Sequence, residues 1–272
     1  MGKSMYAVET IGSFNEFTIA IDQLHTEWKL QPGCIWYRGL SSHKHSLTPR
    51  VVWQKIADED SLIEDFLHSY RPLCNEHPTD AWQLYALMQH FRLPTRLLDW
   101  SKSPLVALFF ALENLDKKDV DLENLDKKDV DPVVWAIDPY VFNGLTCGYE
   151  SVYVPQEARG STEGVQLKNL LPRALRNEET SSFLKLPLAI EPPLGNQRII
   201  SQQGCFTVHG SDKTGIEEIF TAKGSDRIVQ FRIDHVFANH VLESLHNLGF
   251  KEDFIYQDLD ALSRRIIRER TN

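Results

Sequence analysis

The sequence predicts an α+β fold in one compact domain spanning residues 1–272, on three observations. Helix-period apolar stretches dominate the first half, and short runs rich in β-branched and aromatic residues gather in the second. The two kinds of element do not alternate as βαβ units would. At 42% hydrophobic residues over 272 positions, the chain carries enough apolar material for a sizeable core.

Charge and cysteine usage narrow the class. A net charge of −9 and a pI near 5.6 argue against a general nucleic-acid binder held by phosphate contacts, while leaving room for a local basic cleft. No run approaches a membrane span, and the N-terminus lacks the charged-then-apolar pattern of a signal peptide, so the expectation is a cytoplasmic protein with no membrane partner. Cys34, Cys74, Cys147 and Cys205 are widely spaced and form no CxxC pair. They read as small apolar residues in a reducing compartment.

In chain order, the first predicted helix covers about 13–29. Ser13 and Glu16 make a capping box, Phe17, Ile21, Leu24 and Trp28 share one face, and Gly33 ends it. Cys34 to Tyr37 reads as a short buried strand delivering Arg38-Gly39 at its C-terminal end, with Gly39 permitting a sharp exit. Leu40 to Trp53 is polar and irregular, a loop able to cover a cleft. Helices follow at about 59–70, stopped by Pro72, and 80–91, capped by Thr79 or Asp80. The second ends on Gln89 and His90, where the helix dipole favours a protonated imidazole.

Gln89 to Pro104 is the densest stretch, interleaving His90, Arg96 and Asp99 with Leu93, Leu97, Leu98 and Trp100. Apolar neighbours of this kind pin polar heads, as a site requires; a buried arginine–aspartate staple is the structural alternative. Ser103 and Pro104 then open a helix, Leu105 to Leu112, that is apolar nearly all round. Leu112 to Asp121 is repeated without change as Leu122 to Asp131. One tandem copy is no solenoid, and it reads as a charged surface connection lengthened at little cost, without function.

Val133 to Ile137 is a buried strand ended by Asp138-Pro139. The segment 144–182 is ambiguous, with helical character near Val165 to Leu171, and Phe183 to Ile190 holds a short strand. Cys205 to His209 and Ile228 to Ile233 read as strands. Asp234 caps a helix running to Leu248 and ended by Gly249. Phe250 to Tyr256 fits a strand or connector, and Leu259 to Arg268 a final amphipathic helix.

Several chemistries lack their motifs. The chain has no GxSxG elbow, no GxGxxG after a strand and no GxxxxGK[ST]. His43 and His45 stand without HExxH or paired carboxylates, so no metal is expected. What remains is a set of polar residues at element ends: Arg38, His90, Thr95, Arg96, Asp99, Asn196, Arg198, Gln202, Gln203 and His209. An arginine at a strand end with another on a tight loop makes a clamp for phosphate, because guanidinium binds such groups through two parallel donors.

At these residues the chain resembles the FRG domain family, named for its (Phe/Tyr)-Arg-Gly motif. Tyr37-Arg38-Gly39 matches that motif, and Gln89 to Trp100 with Ser103-Pro104 and Ala107 to Ala111 matches its longest signature. Asn196-Gln197-Arg198-Ile199 with Gln203 to Thr207 is similar to its third block, so the resemblance covers about residues 30–210. Families of this kind are often bacterial or prophage-associated, which implies a toxin or phage-defence effector.

The motif order also resembles the ADP-ribosyltransferase fold, which implies a split sheet and NAD as substrate. That resemblance makes Arg38, His90 and Gln203 the catalytic candidates. Tyr37, Gly39, Thr95, Arg96, Asp99, Asn196, Arg198 and Gln202 are then the substrate-binding ones. The third block departs from it in holding no glutamate, and Gln202 or Gln203 cannot supply negative charge or act as a base. Glu191 is the nearest substitute upstream. The implied function is cleavage of NAD and modification of a macromolecular target, protein or nucleic acid. Two alternatives stay open: a non-catalytic module binding a nucleotide or a partner, and a nuclease using His90 with the arginines.

Overall fold

A computed structural model describes residues 6–74, 78–113, 115, 130–155, 167–176, 184–191 and 197–271. Among these, seven strands form one mixed sheet: β1 (Ala7–Ile11), β2 (Trp36–Leu40), β3 (Leu97–Ser101), β4 (Val133–Ile137), β5 (Leu188–Ile190), β6 (Gly204–Val208) and β7 (Ile228–Ile233). Their order is β1-β7-β4-β2-β3-β6-β5, with β1 and β7 parallel and the other neighbours antiparallel. The α+β class holds. The expected division into a helical half and a strand half does not, because strands from both ends of the chain interleave in one sheet.

Eleven helices are described: α1 (Phe14–Trp28), α2 (Arg50–Trp53), α3 (Glu59–Ser69), α4 (Ala81–His90), α5 (Pro104–Leu112), α6 (Pro139–Cys147), α7 (Gln197–Ser201), α8 (Ile216–Lys223), α9 (Ala238–Asn247), α10 (Glu252–Tyr256) and α11 (Leu259–Thr271). The sheet is covered on both faces, and β4 shows why its sequence reads as an unbroken apolar run. Val134 and Ala136 join the core under α1, α5 and α9, whereas Val133, Trp135 and Ile137 join the core with α6 and α8. A third core packs α3 and α4 against β3, β6 and β5 through Ile63, Tyr85, Met88, Leu97, Ile190 and Phe206. No helix among the described residues is long and apolar enough to cross a membrane.

Local chemistry explains the helix starts. Ser13, Asp58, Asp80, Ser103 and Asp138 each accept a backbone N–H of the first turn of α1, α3, α4, α5 and α6. Ends are less regular. Lys29, not Gly33, closes α1, in the left-handed conformation at φ 55°. The predicted strand or connector at Phe250 to Tyr256 holds the helix α10, and the helix expected from Asp234 starts at Ala238. β1, α6, α7 and α8 have no counterpart in the sequence reading; the loop expected at Leu40 to Trp53 ends in the short helix α2, and Leu97 to Ser101, within the pinned stretch, is a strand.

The sheet is narrowest at its centre. β2 matches β4 at five positions and β3 matches β6 at five, but β2 and β3 pair only through Tyr37 and Ser101. The split sheet implied by the second resemblance is therefore a single sheet here, joined at a one-pair seam. Arg38 is not at the strand's exit but in its middle, with Leu40 ending β2. Gly39 has a different reason from the predicted one. A Cβ there would lie 1.9 Å from the Ala107 carbonyl oxygen and 2.6 Å from the Ala111 nitrogen. Only glycine lets the backbone of α5 lie directly on β2.

Candidate functional site

A cleft of about 360 Å³ opens over the β2–β3 seam. Its floor comes from β2 and β3, with Tyr37, Arg38, Gly39, Asp99 and Ser101. One wall is α4 (Ala86, Gln89, His90) and another α5 with its cap (Ala107, Phe110, Glu113). Arg198, Ile199 and Gln202 of α7 and its cap close one end, with Gly204 and Phe206 of β6, and His45, Arg50 and Arg92 come from loops and α2. A volume of this size is in the range of small-molecule sites.

The seam itself is bridged by a side chain. Arg38 Nη1 donates to the Asp99 carbonyl oxygen at 2.5 Å, supplying across β2 and β3 a bond the ladder lacks. Its buried Nε has no hydrogen-bond partner among the described residues. Burial pulls the guanidinium below its ordinary value, Asp99 opposes the fall and Arg50 adds to it. The Asp99 carboxylate is oriented by a relay: Gln89 Nε2 donates to Asp99 Oδ2 at 2.7 Å, and Thr95 Oγ1 donates to Gln89 Oε1 at 2.6 Å. Thr95, buried, thus fixes which way the Gln89 amide points and lies behind the cleft, not in it.

The C-terminus of α4 supplies the next group. Leu93 N–H bonds the Met88 carbonyl and Arg92 N–H the Gln89 carbonyl, each at 3.0 Å, which is a Schellman closure with Arg92 in the position glycine usually fills. Arg92 has φ 65°, a left-handed conformation costing a non-glycine residue about 1 kcal/mol or more. Its carbonyl accepts from Arg50 Nη1 at 3.2 Å, bringing two arginines to one end of the cleft. For His90 beside them, burial outweighs the helix terminus. Burial pulls the imidazole below its ordinary value, Arg198 pulls it further, and Asp258 and Asp99 only partly oppose this.

At the other end, Arg198 lies 4.7 Å over the Tyr256 ring, and Gln202 Nε2 donates to the Ile255 carbonyl at 3.1 Å. Tyr256 donates its hydroxyl proton to the Glu113 carboxylate, with both oxygens at 2.6 Å. α10 therefore holds both α7 and Glu113 in place. Tyr37, the first residue of the tripeptide, is core: its hydroxyl meets His25 Nε2 at 3.1 Å, and burial raises its pKa.

Of the predicted residues, the cleft brings together Tyr37, Arg38, Gly39, His90, Asp99, Arg198 and Gln202. Arg96 is elsewhere. Its Nε pairs with Glu59 at 2.6 Å, Nη1 donates to the His209 carbonyl and Nη2 to the Leu170 carbonyl, so it staples α3, the 3-10 turn Leu167–Leu170 and the residue after β6 to the start of β3. The staple foreseen as the structural alternative exists, but with Glu59 in place of an aspartate. Gln203 is exposed, left-handed at φ 48° and outside the cleft lining, in a turn whose carbonyl accepts from Lys102 N–H. Asn196 lies outside the described residues, as does most of 112–131. Glu191 pairs with Lys102 at 2.7 Å and does not line the cleft.

Glu113 is the residue the sequence reading passed over. It stands at the start of the duplicated segment, which was read as surface without function, and only its place one residue beyond an apolar helix hinted at more. Arg50 and His45 fall in the span expected to be a loop, Leu40 to Trp53, and Arg50 opens α2. Among the described residues, one group could hold a metal ion, Asp131, Asp234 and His235, and none of the three lines the cleft.

Comparison with curated proteins and with solved structures yields no match. The FRG domain family does match, over residues 33–120, a span that contains Tyr37-Arg38-Gly39 and the whole Gln89 to Pro104 stretch but not the block near 196–207. The seam strands β2 and β3, the walls α4 and α5 and the relay from Thr95 to Asp99 all lie inside that match, so residues 33–120 carry an FRG domain, and that span supplies the floor and two walls of the cleft.

Proposed function

We propose that the cleft binds a phosphate-bearing nucleotide and that the chain is an ADP-ribosyltransferase-like enzyme with NAD as its substrate. The observation that carries this reading is the buried, partnerless Nε of Arg38 in a cleft also lined by Arg50, Arg92 and Arg198, in a chain of net charge −9. A buried cationic donor is costly until an anion completes it, and four guanidiniums at one site suit the oxygens of a diphosphate. Phe110, half-buried on the α5 wall, provides apolar surface for a flat ring. Asp99 and Glu113 bring negative charge to the same cleft, as a developing ribosyl cation requires. His90, its imidazole pulled below its ordinary value by burial, can share a hydrogen bond with a ribose hydroxyl.

The test is calorimetric titration of NAD into the pure chain, with free nicotinamide followed by chromatography. Extract and NAD labelled in the adenylate half would reveal an acceptor. Wild type is expected to bind and release nicotinamide, and Arg38→Ala to bind at least about 10-fold more weakly. Binding without release, in the presence of extract, would leave a non-catalytic nucleotide-binding module. Absence of binding would overturn the reading.

A further inference from the structure

We propose that Glu113 is the catalytic carboxylate of the cleft and that Tyr256 positions it, an inference that rests on the NAD reading above. The third sequence block has no glutamate, yet the cleft wall does, contributed by the cap of α5 and not by a late strand. Its location is locally unfavourable. A carboxylate at the C-terminus of a helix faces the negative end of the dipole, at a cost of about 0.3–1 kcal/mol. Two features of the surroundings hold it there. The Tyr256 hydroxyl donates between both carboxylate oxygens at 2.6 Å, and the Tyr256 ring is itself gripped by Arg198 at 4.7 Å and Arg264 at 5.0 Å. Tyr256 belongs to α10, more than 130 residues from the FRG match, so the C-terminal part of the chain completes the site.

The step balances without any further reagent than an O–H nucleophile, water in the simplest case. The bond from C1′ of the ribose to the nicotinamide nitrogen breaks, and its electron pair leaves with neutral nicotinamide. Glu113, ionised, faces the positive charge that develops at C1′. The nucleophile's oxygen then forms the new bond to C1′, and its proton passes to Glu113 and on to solvent. Arg198, 4.7 Å over the Tyr256 ring, fixes the tyrosine whose hydroxyl donates to this carboxylate.

The experiment compares wild type, Glu113→Gln, Tyr256→Phe and Glu191→Gln on the full chain, measuring NAD affinity by calorimetry and nicotinamide release across pH. Glu113→Gln is expected to keep NAD affinity within about threefold and to lose on the order of 100-fold in kcat. Tyr256→Phe is expected to lose about 10-fold in kcat with little change in KM. Its acid limb should also move to higher pH, because a carboxylate deprived of a donor ionises less readily. A purely structural tyrosine would not move that limb. Glu191→Gln, outside the cleft, should match wild type. Full turnover by Glu113→Gln in an active wild type overturns this inference alone, whereas a wild type that ignores NAD overturns the NAD reading and this inference with it.

Discussion

Two arginines, Arg38 within β2 and Arg96 just before β3, divide the molecule into a stapled region and an open one. Arg96 is only 11% exposed and donates to Glu59, the His209 carbonyl and the Leu170 carbonyl, while its own backbone N–H bonds Glu59 and the Tyr85 hydroxyl. Burial by itself would lower its pKa, but Tyr85 and Glu59 more than offset that and hold it above its ordinary value. Arg38 has one bond to a carbonyl, a buried Nε without a partner, and a guanidinium held below its ordinary value. Both arginines stand in polar, motif-rich sequence. The difference lies in whether the fold completes the acceptors, and an arginine left incomplete points to a ligand.

The largest effect expected from breaking this comparison is at the staple. Arg96→Ala strands Glu59 beside Tyr85 and should cost about 3–5 kcal/mol, read from urea unfolding. A loss below about 1 kcal/mol would mean that the two arginines are energetically alike. Next comes the pH dependence of the same region. Burial pulls the His209 imidazole down to about 4, against the backbone of Thr214, and Arg96 adds to the fall. The folded state therefore demands a neutral ring. Its contribution is complete above the unfolded value near 6.5 and is lost as pH falls towards 4, about 3 kcal/mol in all. Unfolding free energies at pH 7 and 4.5 should show that slope in wild type and a shallower one in His209→Gln; equal slopes would exclude His209 as its source.

The smallest effect has the opposite sign. Arg92→Gly removes a left-handed arginine from the Schellman position and should stabilise the chain by about 1 kcal/mol. On the nucleotide reading, the same change should weaken NAD binding. A melting-temperature rise with unchanged affinity would take Arg92 out of the site and leave its strain without a functional reason.

How legible this was depended on range. Helix starts followed from short-range chemistry: Ser13, Asp58, Asp80 and Ser103 accept first-turn N–H groups only a few residues away. β4 was legible because every residue in it is buried on one face or the other. β1 was not, since four of its five residues are exposed and it is held by the distant β7. In the site, Tyr37, Arg38, Gly39, His90 and Asp99 are visible through their motifs, yet the reason for Gly39 is not, because it lies in the approach of Ala107 and Ala111, far along the chain in α5. Glu113 was missed since its partner, Tyr256, is 143 residues away.

The sequence by itself determined the α+β class, the boundaries of α1, α3, α4 and α5 to within a residue or two, and the pinned stretch from Gln89 to Pro104. Those are matters of periodicity, capping and local turns, whose energies are set within a few residues. Tertiary structure alone decided which arginine became a staple and which an open donor, and that the sheet narrows to one pair where the cleft opens. It also brought a carboxylate from the end of an apolar helix into the same cleft as the third block's arginine. Each of these is a balance of desolvation against partners contributed by distant segments, and that balance exists only once the chain has folded.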